Sequence, residues 1–135
     1  MSVEGMLGKH VLNGERAATD DHPAVLHHLP LSETAKANEI PIGTVMKRVD
    51  VTVSEGQGES ATTKVTGAAW EPYLSTDAAS VKPVAVVDDA CDAGDSSALC
   101  LVHGGVKLRM LKTGDGKELS DIQIALLSEQ GIYAV

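Results

Sequence analysis

Phenylalanine is absent from this 135-residue chain, and Trp70, Tyr73 and Tyr133 are its only aromatic residues. Aromatic side chains bury about 150–250 Å² each, so a core without them gives up its largest packing units. Any core must be assembled from Val, Leu, Ile, Ala and Met, and a small domain of that kind commonly gains stability from partner subunits. Cysteine is scarce too. Cys91 and Cys100 stand alone, which excludes the disulfide framework of a small secreted domain and suits a reducing cytoplasm where both thiols stay free. No apolar run approaches the roughly 20 residues that span a bilayer, so no membrane partner is expected. The N-terminus lacks the basic stretch and apolar run of a secretory leader. Eleven basic residues face nineteen acidic ones, and Lys47-Arg48 is the only adjacent basic pair. A formal charge of −8 without a basic cluster argues against nucleic acid as a partner, because phosphate binding needs grouped Lys and Arg.

What is present reads as one domain, mainly β with minor α. Residues 1–38 differ from the rest. His22-Pro23 and Leu29-Pro30 interrupt any helix, and the apolar residues keep no period. The expectation is an extended arm with a short helical turn near 32–37, either disordered when alone or ordered on a partner. The body spans 39–135. Ile40-Pro41-Ile42-Gly43-Thr44-Val45-Met46 reads as a Pro-bounded opening strand. Val49, Val51 and Val53 alternate with polar residues, which predicts a strand with one buried face. Residues 54–63 read as an exposed loop, and 64–69 as another strand. The runs 81–87 and 98–103 flank an acidic turn and predict a hairpin. Gly104-Gly105 allows a bend or bulge. Residues 106–111 alternate apolar and basic, as in a strand with one wet face. The clearest local signal closes the chain. Ser120 and Gln123 form a capping box, and Leu119 and Ile124 a hydrophobic staple. Ile124 and Leu127, with Ile122 and Ala125, supply an apolar face. Gly131 suits a left-handed helix end, with Ile132 packing back on Leu127.

Residues able to do chemistry do not assemble into a recognisable site. Asp88, Asp89, Asp92 and Asp95 are dense enough to suggest calcium, but Ala90 and Ala93 fall where an EF-hand needs a ligand and glycine. A solvated hairpin turn is the simpler reading. His10, His22, His27, His28 and His103 include no HExxH, and the two cysteines make no CxxC. No GxSxG elbow occurs. The expectation is no enzyme, no cofactor and no metal. Trp70 and Tyr73 beside Pro72 fit two roles equally: an exposed interface anchor, or a plug in the core.

The order of elements resembles the phage head decoration proteins, the lambda D-like family that stabilises capsids. The resemblance covers about residues 38–135. It is carried by the variable arm, the opening strand Ile40–Met46, the small-residue segment Val84-Ala85-Val86-Val87, and Cys100–Val106, which is similar to a strand bearing an Arg/His-Gly element. The end of the chain, from Leu119 through Gly131-Ile132-Tyr133-Ala134-Val135, is similar to the family's closing helix and final strand. The loop 54–63 and the Asp-rich turn depart from the pattern. The resemblance implies a small β-barrel or β-tulip-like body with an extended arm and one short C-terminal helix. It further implies a virion protein on the outer capsid surface, found in the host cytoplasm during assembly. Its partners would be the major capsid protein and itself, as a trimer at three-fold positions. Residues 1–40 and Ile40, Pro41, Ile42 and Val45 would then contact the capsid. Trp70 and Tyr73 become interface candidates, and Ile132 and Tyr133 close the barrel or line a subunit interface. Alternatives are a dimeric jelly-roll cement protein at two-fold positions, a small β module binding a ligand at Trp70-Tyr73, and an enzyme with an unrecognised site.

Overall fold

A computed structural model describes residues 15–19 and 23–135. In chain order the elements are β1 (Val25–Pro30), α1 (Glu33–Lys36), β2 (Val45–Glu55), β3 (Thr62–Pro72), β4 (Pro83–Val87), β5 (Ser97–Val106), α2 (Asp121–Glu129) and β6 (Ile132–Ala134). The strands form one sheet in the order β1-β5-β4-β2-β3, antiparallel throughout, and β6 joins β5 in parallel. The fold is mainly β with one short C-terminal helix.

Strand alternation explains how so few large side chains fill this body. Successive residues point to opposite faces of a sheet. Val45, Val86 and Leu101 enter one core with Tyr73, Leu111, Leu127 and Ile132. Their immediate neighbours Met46, Val87 and Cys100 enter a second core with Leu29, Leu31, Ala35, Ile40 and Cys91. β4 and the first half of β5 therefore have no wet face, which accounts for the unbroken apolar runs Val84–Val87 and Ala98–Val102. The predicted hairpin of 81–87 with 98–103 is present as the β4–β5 pair, with Val86 opposite Leu101 and Val87 opposite Cys100.

The sheet curls without closing. Leu29 and Leu31, at the β1 edge, and Trp70, on the opposite edge strand, pack against the same second core. A single bridge from Leu31 to Trp70 joins the two edges, through the Ser32 N–H donating to the Trp70 carbonyl at 3.0 Å. The expected barrel is thus an open, curled sheet.

Three local expectations change. The arm predicted through residue 38 is part of the body from Val25 onward: β1 pairs with β5 from Val25–His103 to Pro30–Ser97, and α1 is capped by Ser32. Earlier still, Ala17 is buried. Residues 1–14 and 20–22 of that arm, with His10 and His22, lie outside the described residues. The opening strand Ile40–Met46 is instead a bridge followed by a tight turn. Ile40 exchanges two backbone hydrogen bonds with Cys91, and the Pro41 carbonyl accepts from the Thr44 N–H and hydroxyl. Gly43 occupies the left-handed position of that turn at φ 87°. A Cβ there would sit 1.9 Å from the Met110 carbonyl oxygen, so glycine is required for space as well as conformation. Finally, residues 106–111 leave the sheet after Val106 and form a 3₁₀ turn at Leu108–Met110.

The helix ends are as the sequence predicts. The Ser120 hydroxyl accepts from the Gln123 N–H at 3.3 Å, and the Gln123 side chain accepts from the Ser120 N–H at 2.9 Å. Gly131 takes φ 84° and its N–H donates to the Ser128 carbonyl. Leu127 and Ile132 meet in the first core. The expected apolar face is not: Ile122 and Ala125 are exposed, Ile124 is half-buried, and Leu126 is buried beside Leu127.

Candidate functional site

The residues predicted to touch a partner divide by burial. Ile40, Val45, Tyr73 and Ile132 are all 2% exposed or less and sit in the chain's own cores. They carry the fold, and their expected interface role is corrected on that ground. Ile42 packs half-buried against the first core, whereas Pro41 is exposed. Tyr133 is exposed on β6 and meets His103 edge-to-face, ring centroids 6.3 Å apart. The Trp70-Tyr73 pair splits. Tyr73 is the core plug, held by its N–H donating to the Val45 carbonyl at 2.8 Å. Trp70 is half-buried, one side on the second core and one side in a surface cleft.

The acidic turn is less solvated than its composition suggests. Asp88 is fully buried at the end of β4. It accepts from the Arg16 guanidinium at 2.8 Å through Nε and from the Ala18 N–H at 2.8 Å. Asp89 is also buried, and the Asp95 carboxylate accepts from the Asp92 N–H. Asp88 and Asp89 belong to the interior, whereas Asp92 and Asp95 are exposed on the turn. Among the described residues no group of three His, Cys, Asp or Glu side chains is placed to hold a metal ion. Burial, reinforced by the surrounding aspartates, pushes the Cys91 thiol up to about 11. Burial raises Cys100 further still. Both are core residues without thiolate character at neutral pH.

Two surfaces remain. The first is a β-ribbon, the outer halves of β2 and β3. The strands pair from Met46–Pro72 out to Glu55–Thr62, but beyond Val49 and Ala68 no described residue covers either face. Val51 and Val53 lie 43% and 47% exposed on the face that Val45 buries further down the strand. Val65, opposite Thr52, is 57% exposed on the reverse face. A bulge at Thr66 offsets the pairing, and its hydroxyl donates to the Val51 carbonyl. The alternation at Val49, Val51 and Val53 is therefore a true strand signal whose predicted burial is absent. Among the described residues β3 also has an open edge, save for the contact at Trp70.

The base of the ribbon is fixed by charge. Lys47 donates to both Asp77 carboxylate oxygens, at 3.0 and 2.8 Å, and Asp77 also accepts from the Leu74 N–H. Burial raises the Asp77 pKa, but the Lys47 and Leu74 bonds outweigh it and the net shift is downward. Asp115 accepts from the Ser75 hydroxyl, the Thr113 hydroxyl and the Ser75 N–H, and these hold it well below the usual carboxylate range.

The second surface is a cleft of about 640 Å³ on the face of the sheet that carries the second core. Arg48, Trp70, Val84 and Val102, one from each of β2, β3, β4 and β5, line its floor, and Lys82 and Gln130 stand at its rim. Sequence reading found Trp70 but not its companions. The signal was the adjacent pair Lys47-Arg48: alternation sends Lys47 to Asp77 and Arg48 to the other face. Comparison with family models, with curated proteins and with solved structures returned no match.

Proposed function

We propose that this chain is a structural protein that docks on the outside of a repeating protein shell, in the manner of a lambda D-like head decoration protein. The supporting observation is the uncovered β-ribbon. Two valines on one face, a third on the other and a free strand edge make a surface that gains by being covered. Open sheet edges take up strands from partners, and the main-chain hydrogen bonds of such pairing are available along β3. What remains of the resemblance, in the small-residue segment Val84–Val87, the Cys100–Val106 strand and the closing helix and strand, supplies the identity of the shell, an expanded phage head, and the major capsid protein as partner.

The mechanism is mass action. A protein that binds the assembled lattice and not its free subunits stabilises the lattice by its binding free energy. Self-association as a trimer, with a dimer as the other possibility, joins several docking surfaces in one particle. Their combined binding then exceeds that of each alone. The β-sheet body acts as a spacer, and the ribbon acts as the contact.

The test is co-sedimentation of the purified chain with expanded, undecorated phage heads, followed by heating of the decorated particles. Saturable binding and a raised disruption temperature are the expected result. Heads that neither bind the protein nor gain heat resistance overturn the proposal. Sedimentation equilibrium on the free protein decides between trimer and dimer.

A further inference from the structure

We propose that the Trp70 cleft is a binding site for an acidic, extended peptide segment of a partner protein, with a carboxylate seated on Arg48 and Lys82 and an apolar side chain against Trp70 and Val102. Geometry and charge both lead there. The floor residues lie along a diagonal across four adjacent strands, β5-β4-β2-β3, with Arg48 and Trp70 directly opposite each other. Three strand spacings of about 4.8 Å put its ends about 14 Å apart across the strands, which matches about four extended residues. The cleft, about 640 Å³ and broadly open to solvent, has room for such a segment laid along the surface.

Charge selects the occupant. The chain carries −8 overall, yet the two ionic residues lining this cleft are both cations. Lys82 reaches Glu129 only at 3.9 Å, with both side chains substantially exposed, a weak pair that an incoming carboxylate can replace. Arg48 makes no ion pair or side-chain hydrogen bond among the described residues, whereas its neighbour Lys47 is fully engaged. A guanidinium offers a planar fork that matches a carboxylate with two parallel bonds. It stands directly opposite Trp70 in the β2–β3 ladder, so the carboxylate and the apolar contact fall side by side. Aromatic and Arg side chains together are the usual energetic centre of a protein interface.

The site stands apart from the shell reading, since the cleft is on the body and its occupant is defined by chemistry alone. It also has a built-in reporter, because Trp70 is the only tryptophan in the chain. The experiment is a fluorescence titration of the full chain with a blocked Asp-Leu-Glu-Leu peptide, with a Lys-Leu-Lys-Leu peptide, sodium acetate and a thymidine oligonucleotide as controls. A saturable shift in Trp70 emission with the acidic peptide only is expected. It should weaken at least tenfold in Arg48→Ala and in Lys82→Ala, and weaken in high salt. Arg48→Lys should recover only part of the affinity. Circular dichroism and urea melts of each variant establish that the fold is intact. No response to the acidic peptide, an equal response to acetate or the oligonucleotide, or full binding by both alanine variants overturns the proposal. Head co-sedimentation run alongside keeps the two readings separate: peptide binding without head binding removes the shell and leaves the cleft, and the reverse removes the cleft alone.

Discussion

Arg16 and Asp88, 72 positions apart, form a buried contact at 2.7 Å that ties the segment before β1 to the end of β4. Asp88 is wholly enclosed, whereas the Arg16 side chain is 37% exposed. The same carboxylate takes the Ala18 N–H, and Ala18 bridges to Val106 on β5. One acid therefore holds down residues 16–18 along a sheet edge.

Asp88→Asn keeps the shape and one acceptor for Ala18 but removes the charge. A charge-assisted hydrogen bond contributes about 1.5–3 kcal/mol, and the loss should fall at the low end because Arg16 can turn to water. Urea melts should show that cost, and amide exchange should accelerate at Ala18 and Thr19 before it does in β5. Unchanged exchange there contradicts the tether.

Gly43→Ala should be among the most damaging single changes. The added methyl meets the Met110 carbonyl at 1.9 Å, and φ 87° is unfavourable for any side chain. Backbone groups on both sides are committed, the Gly43 N–H to the Val87 carbonyl and its own carbonyl to the Lys112 N–H. Strain of this kind costs about 1–3 kcal/mol before the clash is counted. Thermal denaturation of Gly43→Ala beside Gly94→Ala checks the steric part, since Gly94 has a left-handed φ of 94° but nothing near its Cβ position.

Acid should loosen the same N-terminal segment. Glu15 accepts from Lys107 at 2.6 Å and from Arg109, and these bonds lower its pKa from 4.5 to about 2. A depressed carboxylate stabilises the folded state above its unfolded pKa and stops doing so as pH falls through the folded one. The contribution should therefore be complete above about pH 4.5 and disappear between there and about pH 2. Carbon-detected NMR of the Glu15 carboxyl gives the midpoint, and Glu15→Gln should remove the effect. Because Glu15 is at the surface, salt should weaken the contact as well.

Replacing Val51 and Val53 together by Thr should leave the melting temperature nearly unchanged. Both side chains are exposed, threonine keeps the β-branched shape, and surface changes of this kind usually stay within about 0.5 kcal/mol. Binding to heads should fall at least tenfold in the co-sedimentation assay. A variant that binds as the parent does removes the ribbon from the contact.

The thiols offer a simple check on both the fold and its register. Burial raises Cys91 to about 11 and Cys100 higher, so neither should react readily with a disulfide reagent at pH 8. Two equivalents should appear on unfolding. Rapid labelling of one thiol in the native protein places that residue outside the second core.

Local signals with their own chemistry were legible. The Ser120–Gln123 box, the Gly131 ending and the β4–β5 hairpin each depend on residues a few positions apart, or on a short apolar run. What failed depended on distant partners. Nothing near Leu29-Pro30 announces that β1 pairs with β5, about 70 residues later. Val51 and Val53 have the alternation of a buried face, and only the absence of a covering layer leaves them in water. Asp88 differs from Asp92 by neighbours that composition does not reveal. Of the two candidate surfaces, the cleft was half visible through Trp70, and the ribbon was visible as strands but misjudged as interior.

β5 serves β1 on one side and β4 on the other, with β6 at its far end. On the ribosome, Val25–Pro30 emerges early and finds no mate until Ser97–Val106 has been made. The β2–β3 and β4–β5 pairs can each close soon after synthesis, being joined by short links, while the β1–β5 and β2–β4 pairs wait on more distant chain. Nascent molecules therefore pass through a stage with an early hairpin and an orphan N-terminal strand, and that interval is when a chaperone has most to protect.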